Sequence, residues 1–495
     1  MNGALEIRLG PADLQSACEA LLRDGGRMQM AWAWYPSLGG IEVCYLTTQG
    51  VRQQFALWRC NTTDQTLPSL AGITPLLGWY EREITDLFGV RFDGQPEPYP
   101  LVLQEGARPI LSPLNPAYPV DTAMPFKRQP ARIPQVLGDD IQELPFGPAR
   151  ADVVESAQFL FFYLGEHILH YQPRLFFKHR GMEKRFEGLE PALGVILAER
   201  VSGIGSFAHA LAYCQAVESA CDCTIPPRAA WLRTLCAELE RIYNHLHYFG
   251  HLADTTTLKV ASAEGKLLEE RVKQISARLC SNRFLRNLLQ PGGLRHDLNI
   301  YTGLSEELQK LQREINRYLG QLSRTSSYLD RLIDTGMLSR QVAFDQGATG
   351  PVERASGLDR DLRRDHAYAA YAAVKLEVSL RDKGDANARA EVRAEEIRVS
   401  TDLIAQLLTD IPAGAYCNPC VTKPNGEGIG WCESPRGALY YAVHLDGSGK
   451  LQRVKIKSPS FSNWRVFPYT VHGSNMMDYA INEASFGLSI AGCDR

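Results

Sequence analysis

No apolar run in this chain approaches the ~20 residues needed to cross a bilayer, and Met1-Asn2-Gly3-Ala4-Leu5-Glu6 opens no cationic-then-apolar signal sequence. Any membrane link is therefore expected to come through partners. Charge of one sign is lacking too: 53 Lys and Arg against 56 Asp and Glu leave a formal net charge of -3, which gives no reason to expect nucleic-acid binding or a polybasic membrane patch. Cysteine is sparse, 12 in 495 residues, which excludes a secreted disulfide scaffold and makes a reducing, cytoplasmic compartment the expectation. The chain has no Gly-x-Gly-x-x-Gly between a strand and a helix, so nicotinamide is not expected on it. Internal repeats and low-complexity tracts are absent.

What is present, 45% hydrophobic and 22% charged residues, is ordinary for a soluble globular protein with room for two or three domains. Gly40 to Leu46 and Gln53 to Trp58 read as strands, and Trp79 to Phe88 reads as a helix, which together suggest a small α/β domain. Pro96, Pro98, Pro100, Pro109, Pro113, Pro116 and Pro119 make the following segment extended and irregular, with the boundary between about Val120 and Leu144. Phe159 to Leu164 and His167 to Tyr171, separated by Gly165-Glu166, have hairpin length. From Leu189 to about Leu408 the pattern is mainly helical: Leu232, Leu235, Leu239, Ile242, Leu246 and Phe249 recur at core-forming spacing. Further helices are expected over Ala261 to Cys280, Ser305 to Thr335 and Asp365 to Leu380, and strands over Ala438 to His444 and Leu451 to Ile456. The class is α+β, with domains 1–122 and 147–495 joined by a linker, 123–146.

Two segments carry the chemistry. One reads Glu199-Arg200-Val201-Ser202-Gly203-Ile204-Gly205-Ser206-Phe207-Ala208-His209, and the other is the end, Ser485-Phe486-Gly487-Leu488-Ser489-Ile490-Ala491-Gly492-Cys493-Asp494-Arg495. With His179-Arg180-Gly181-Met182-Glu183-Lys184, Gly347 to Gly357, Asp361-Leu362-Arg363-Arg364-Asp365 and Glu433-Ser434-Pro435-Arg436-Gly437, they resemble the large subunit of group 4 membrane-bound, energy-converting nickel–iron hydrogenases. That family includes the formate hydrogenlyase large subunit and is related to the 49 kDa quinone-site subunit of respiratory complex I. Trp79 to Val90 is similar to the signature of the 30 kDa subunit of complex I, so the chain looks like a fusion of the two.

The resemblance calls for Glu-Arg-x-Cys-Gly-x-Cys and Asp-Pro-Cys-x-x-Cys-Thr-Asp-Arg. Ser202, Gly205, Ser489 and Gly492 stand where the four nickel-binding thiolates belong. A serine hydroxyl stays protonated and glycine offers no side chain, so no metal is expected on this chain, and these four positions become either a small cavity able to hold an acceptor or a space filled by neighbours. Cys493 would reach the set only by a one-residue slip, which redirects its side chain.

The resemblance further implies that Glu155 matches a proton-passing glutamate, with a hydrogen-bonded or solvated carboxylate as the open alternative. Arg436 matches an arginine overhanging the hydrogenase site, where its fork suits carbonyl or carboxylate oxygens, a structural salt bridge being the alternative. Arg200 matches a residue close to the terminal iron–sulfur cluster of a small 20 kDa-like partner, whose potential a fixed cation would raise. Arg200, Ser202, His209 and Arg436 are expected to line one pocket. Departures are Arg150 for a histidine, and Val154 and Gly203 where complex I carries its quinone-binding histidine and tyrosine. His245, His247 and His251 do not share a helical face as a metal site would need. Cys417-Asn418-Pro419-Cys420 has no matching second pair, and Cys221-Asp222-Cys223 is a weaker signal still, so free thiols are expected, with an auxiliary metal or a disulfide as the alternative.

The expected function is a subunit of a membrane-bound, ion-translocating oxidoreductase, peripheral on the cytoplasmic face of the inner membrane. It would pass electrons from the iron–sulfur partner to a quinone or another small acceptor beside antiporter-like membrane subunits, with a non-catalytic scaffold as the alternative; an active hydrogenase would require replacement thiolates. The chain stops at Arg495, where a processed nickel-bearing relative would stop, so the last residue is either an encoded end or a processed one.

Overall fold

The computed structural model describes residues 4–36, 40–49, 54–103, 106–109, 111–118, 123–127, 136, 138, 140–149 and 155–495. Arg150, Val154 and part of the expected boundary, Val120 included, lie outside them.

The architecture is α+β. Leu5–Arg8 runs parallel to Phe55–Thr62, which pairs antiparallel with Ile41–Thr48 and that strand with Arg27–Trp34. The Ile41–Thr48 strand is buried along its whole length, because helices Leu14–Arg23 and Gly78–Phe88 and the C-terminal part of the chain leave it no solvent face. Trp32 Nε1 donates to His444 Nε2 at 3.0 Å, and Arg453 Nε to Ala33 O at 3.2 Å, so side chains tie this sheet to the C-terminal sheet of Glu427–Ser434, Gly437–Leu445 and Leu451–Lys457.

Gln158–Leu164 and His167–Arg174 form a hairpin whose Gly165 takes a positive φ of 58° at the turn. Phe159 and Phe161 point inward onto Tyr171 and Tyr479. Gln142–Phe146, at the end of the segment read as a linker, adds a third strand to this sheet.

The helical part centres on Pro227–Thr255, and Leu232, Leu235, Leu239, Ile242, Leu246 and Phe249 are all buried. The helix expected over Ser305 to Thr335 is two, Leu304–Leu322 and Ser326–Leu332, broken where Thr325 is extended and its hydroxyl donates back to Gln321 O at 2.9 Å. The helix expected over Asp365 to Leu380 is replaced by the short helix Leu362–Asp365 and a single 3-10 turn, Tyr371–Ala373. Ala369 sits at a φ of 49°, Ala370 N–H donates to Thr234 Oγ1 at 3.0 Å and Lys375 N–H to Gln406 Oε1 at 3.0 Å. Side chains of neighbouring helices have captured the N–H groups that an alanine-rich sequence would otherwise give to its own carbonyls. Among the described residues no helix is long and apolar enough to cross a membrane.

The Ser206–Ala220 helix lies directly on strand Glu427–Ser434, and the sequence explains how. Gly426, Gly428 and Gly430 present one strand face without side chains, and a β-carbon there would stand 2.4, 2.0 and 2.1 Å from the carbonyls of Ala220, Ala216 and Ala212. Four helical residues rise about 6 Å and two strand residues about 6.6 Å, so the two backbones stay in register. This contact fixes the axis of the helix whose first turn carries Gly205, Ser206 and His209.

Candidate functional site

Helix Pro191–Val201 ends against the start of Ser206–Ala220, with Ser202 extended between them. The Phe207 and Ala208 N–H groups, orphans of the new helix, donate to the two carboxylate oxygens of Glu240, each at 2.9 Å. Burial pushes the Glu240 carboxyl up to about 7. On the far side the short helix Ile490–Asp494 is capped by Ser489, whose hydroxyl accepts from Gly492 N–H at 3.0 Å. Glu155 accepts from Ile490 N–H at 2.7 Å and Ala491 N–H at 3.1 Å, so its carboxylate is hydrogen-bonded at a helix start.

Arg180 holds the two halves together. Its guanidinium donates to the Arg200 and Val201 carbonyls, both at 2.8 Å, and to the Ala491 carbonyl at 3.1 Å. The four substituted positions consequently face one another. A β-carbon at Gly492 would lie 3.7 Å from Ser202 Cβ and 3.3 Å from Ser489 Cβ, and one at Gly205 would lie 3.9 Å from Ser202 Oγ and 3.8 Å from His209 Cδ2. The frame for four converging side chains is intact, while the side chains in it are two hydroxyls and two hydrogens. Cys493 is turned elsewhere: it is fully buried, and the charges around it are Asp494, Arg495, Glu83 and Glu155.

His209 is buried and shares a hydrogen bond of 2.8 Å between Nδ1 and the Tyr441 hydroxyl. Burial first, then the nearby Arg180 and Arg436 cations, push its imidazole down to about 3, so it is neutral at physiological pH. A histidine held neutral stabilises the fold fully above its unfolded value of 6.5 and loses that contribution as pH falls toward 3. The stability difference between wild type and His209→Gln is expected to shrink by about 1.4 kcal/mol per pH unit below 6.5, read by denaturant titration from pH 7 to 4.5. Tyr441 and Arg436 do not titrate in that window, and Glu240, which caps the same helix and sits at about 7, titrates in both proteins and cancels in the difference. A pH-independent difference would disprove the buried neutral imidazole.

Arg436 stands in the turn between strands Glu427–Ser434 and Gly437–Leu445. That turn is locked from below: Arg241 donates to the Glu433 and Ser434 carbonyls, and Arg354 pairs with the Glu433 carboxylate at 2.9 Å. Arg436 Nη1 is buried with no hydrogen-bond partner among the described residues. Burial pushes the guanidinium down to about 10, with Glu155 the nearest opposing charge, so it stays cationic.

Of the expected pocket residues, the structure brings together Ser202, Gly205, His209, Ser489 and Gly492, with Glu155 at the edge and Arg436 close enough to act on His209. The Arg200 side chain is not among them: it is 51% exposed beside Glu199, 3.7 Å away, on the outer surface. Sequence reasoning missed Arg180, Tyr441 and Glu240. Arg180 lies within a motif of the family, yet its partners are 20 to 311 positions away and no spacing marks them. His245 is buried against Glu396 at 2.8 Å and belongs to the ion network beneath the site.

Comparison with known proteins gives three family matches. Residues 267–421 and 415–495 match the respiratory-chain NADH dehydrogenase 49 Kd subunit, residues 7–123 the 30 Kd subunit, and residues 180–282 the nickel-dependent hydrogenases. The chain is 29% identical to formate hydrogenlyase subunit 5 of Escherichia coli (strain K12) over 427 residues, 83% of this chain and 74% of the relative. It is 28% identical to the C/D fusion subunit of the NADH-quinone oxidoreductase of Cereibacter sphaeroides (strain ATCC 17025 / ATH 2.4.3) over 482 residues, 88% and 82% respectively. It is 31% identical to the D 1 subunit of the NADH-quinone oxidoreductase of Solibacter usitatus (strain Ellin6076) over 364 residues, 67% and 88%.

Proposed function

Because the chain belongs to the family of 49 Kd-type NADH-quinone oxidoreductase subunits, with a 30 Kd-type segment on the same polypeptide, we propose that it serves a membrane-bound oxidoreductase complex without a nickel–iron centre of its own. The observation that carries this is the converging frame of Ser202, Gly205, Ser489 and Gly492 beside a buried guanidinium with a free donor. Protonated hydroxyls and glycine do not fit a soft metal that selects thiolates, so no step runs through nickel.

Electrons enter from an iron–sulfur cluster of a small partner docked on the Arg200 face and leave to a quinone or other carbonyl acceptor. Arg436 holds the acceptor oxygen and stabilises the negative charge that builds on it during reduction. The Tyr441 and His209 pair, neutral and hydrogen-bonded, fixes the opposite polar group. Glu155 positions the helix that carries Ser489 and Gly492. Attachment to the cytoplasmic face of the inner membrane is peripheral, through antiporter-like and other membrane subunits.

The reading is tested on the complex purified from native membranes, by elemental mass spectrometry together with reduction of a short-chain quinone. Nickel near zero, several irons per chain and quinone reduction are expected. About one nickel per chain would overturn the reading, and iron without acceptor reduction would leave a scaffold. Arg200→Met is expected to lower the partner cluster's reduction potential by tens of millivolts, since an exposed cation is partly screened. An unshifted redox titration would remove Arg200 from that role.

A further inference from the structure

The Ser206–Ala220 helix ends, at the far side from the candidate site, in Cys221-Asp222-Cys223. Cys417-Asn418-Pro419-Cys420 lies in the irregular stretch between helix Ala386–Thr409 and strand Glu427–Ser434. Separated by about 200 positions, the two cysteine pairs meet in the fold. The Cys420 thiol is within hydrogen-bonding reach of both Cys221 and Cys223. The approach is fixed on both sides: Lys423 Nζ pairs with the Asp222 carboxylate at 2.6 Å, Asn418 Nδ2 donates to Thr224 O at 2.9 Å, and Lys423 N–H donates to the Cys221 sulfur. Cys417 is held apart, its sulfur accepting from Gln290 Nε2 at 3.0 Å and its backbone bridged to Gly293. All four are partly exposed free thiols, open to a small reagent.

We propose that Cys221 and Cys420 are an oxidation site, forming a reversible disulfide that staples the 417–423 segment to the end of the helix that begins at the candidate site. Sulfur contact across two separately anchored backbones is the arrangement a disulfide needs. Among the described residues no three His, Cys, Asp or Glu side chains are grouped as metal ligands. The hydrogen bond from Cys420 lowers the Cys221 thiol and raises that of Cys420, and Lys423, anchored on Asp222 beside Cys221, favours the thiolate at Cys221. Cys221 is thus the attacking thiolate and Cys420 the resolving thiol.

The oxidant is a low-molecular-weight disulfide of the glutathione class. Cys221 thiolate attacks one of its sulfurs, its S–S bond breaks, and one small thiolate leaves and takes up the Cys420 proton. The Cys420 sulfur then attacks the Cys221 sulfur of the mixed disulfide, expelling the second small thiolate, which takes a proton from solvent in place of the one Cys221 had released. Two protein thiols become one disulfide, and one small disulfide becomes two small thiols.

The test uses the full chain, equilibrated with excess oxidised glutathione, alkylated with iodoacetamide and mapped as unreduced peptides. The expected result is a Cys221–Cys420 cross-linked peptide, two fewer alkylated cysteines, and reversal by reduced glutathione. In Cys221→Ser the link passes to Cys223–Cys420, the other sulfur that Cys420 touches. Full alkylation of Cys221 and Cys420, a Cys417–Cys420 link in the wild type, or tightly bound zinc that blocks both thiols would each overturn the proposal.

Discussion

Gly428→Val is expected to prevent the chain from reaching its folded state. The β-carbon alone would stand 2.0 Å from Ala216 O and 2.5 Å from Ala220 N, and both contacts are backbone atoms inside a regular helix. No flexible side chain can swing aside, so helix Ser206–Ala220 would have to lift bodily off its strand by more than about 1 Å, in an interior packed at crystal density. Gly428 shows no positive φ, so the penalty is steric and not a matter of backbone preference. A loss above about 4 kcal/mol follows, in the range reserved for core overpacking, and it would appear as insoluble expression or a collapsed denaturant midpoint. Gly447→Ala is the control: its nearest foreign atom is Asn425 Oδ1 at 4.0 Å, and a change within about 0.5 kcal/mol is expected. A Gly428→Val chain with a wild-type midpoint would mean that the helix does not rest on this strand, and the placement of Gly205 and His209 would fall with it.

That contact also marks how far the sequence alone could be read. The hairpin at 158–174 was legible because Gly165-Glu166 interrupts two apolar runs of strand length, and helix Pro227–Thr255 because its leucines keep one face. The two halves of the candidate site were legible as motifs, since the residues that define each half are neighbours in sequence. How the halves meet was not, because the joining groups act over distance: Arg180 reaches carbonyls on two helices, and Glu240 caps a helix 32 residues away. The Tyr368 and Tyr371 region misled for the opposite reason. Its alanines favour a helix locally, while Tyr371 hydroxyl donates to buried Glu238 and Thr234 claims a backbone N–H, so tertiary bonds override propensity. Arg200 was placed in the pocket by its motif neighbours, but the end of helix Pro191–Val201 turns its side chain outward.

In the assembled complex, Arg436→Met is expected to lower acceptor reduction about 100-fold while leaving the fold as stable as before, or more so. The two halves of that expectation come from one fact. Arg436 Nη1 is buried without a partner among the described residues, and burial disfavours the charge enough to push the guanidinium down to about 10. Methionine fills similar space and removes a desolvated cation, so the fold loses little. If the arginine instead served a structural ion pair, removing it would strand a buried carboxylate and cost about 3–5 kcal/mol. Activity responds the other way. A preorganised donor aimed at developing negative charge is worth about 10² to 10³ in rate where water is excluded. Arg436→Lys keeps the charge without the planar fork and is expected to recover part of the loss, about tenfold below wild type. Rate and thermal midpoint measured on the same preparations separate the roles: a slow, stable enzyme supports acceptor binding at Arg436, whereas a rate and a midpoint that fall together would make it structural. A wild-type rate in Arg436→Met would remove Arg436 from acceptor binding and return the chain to the role of a scaffold.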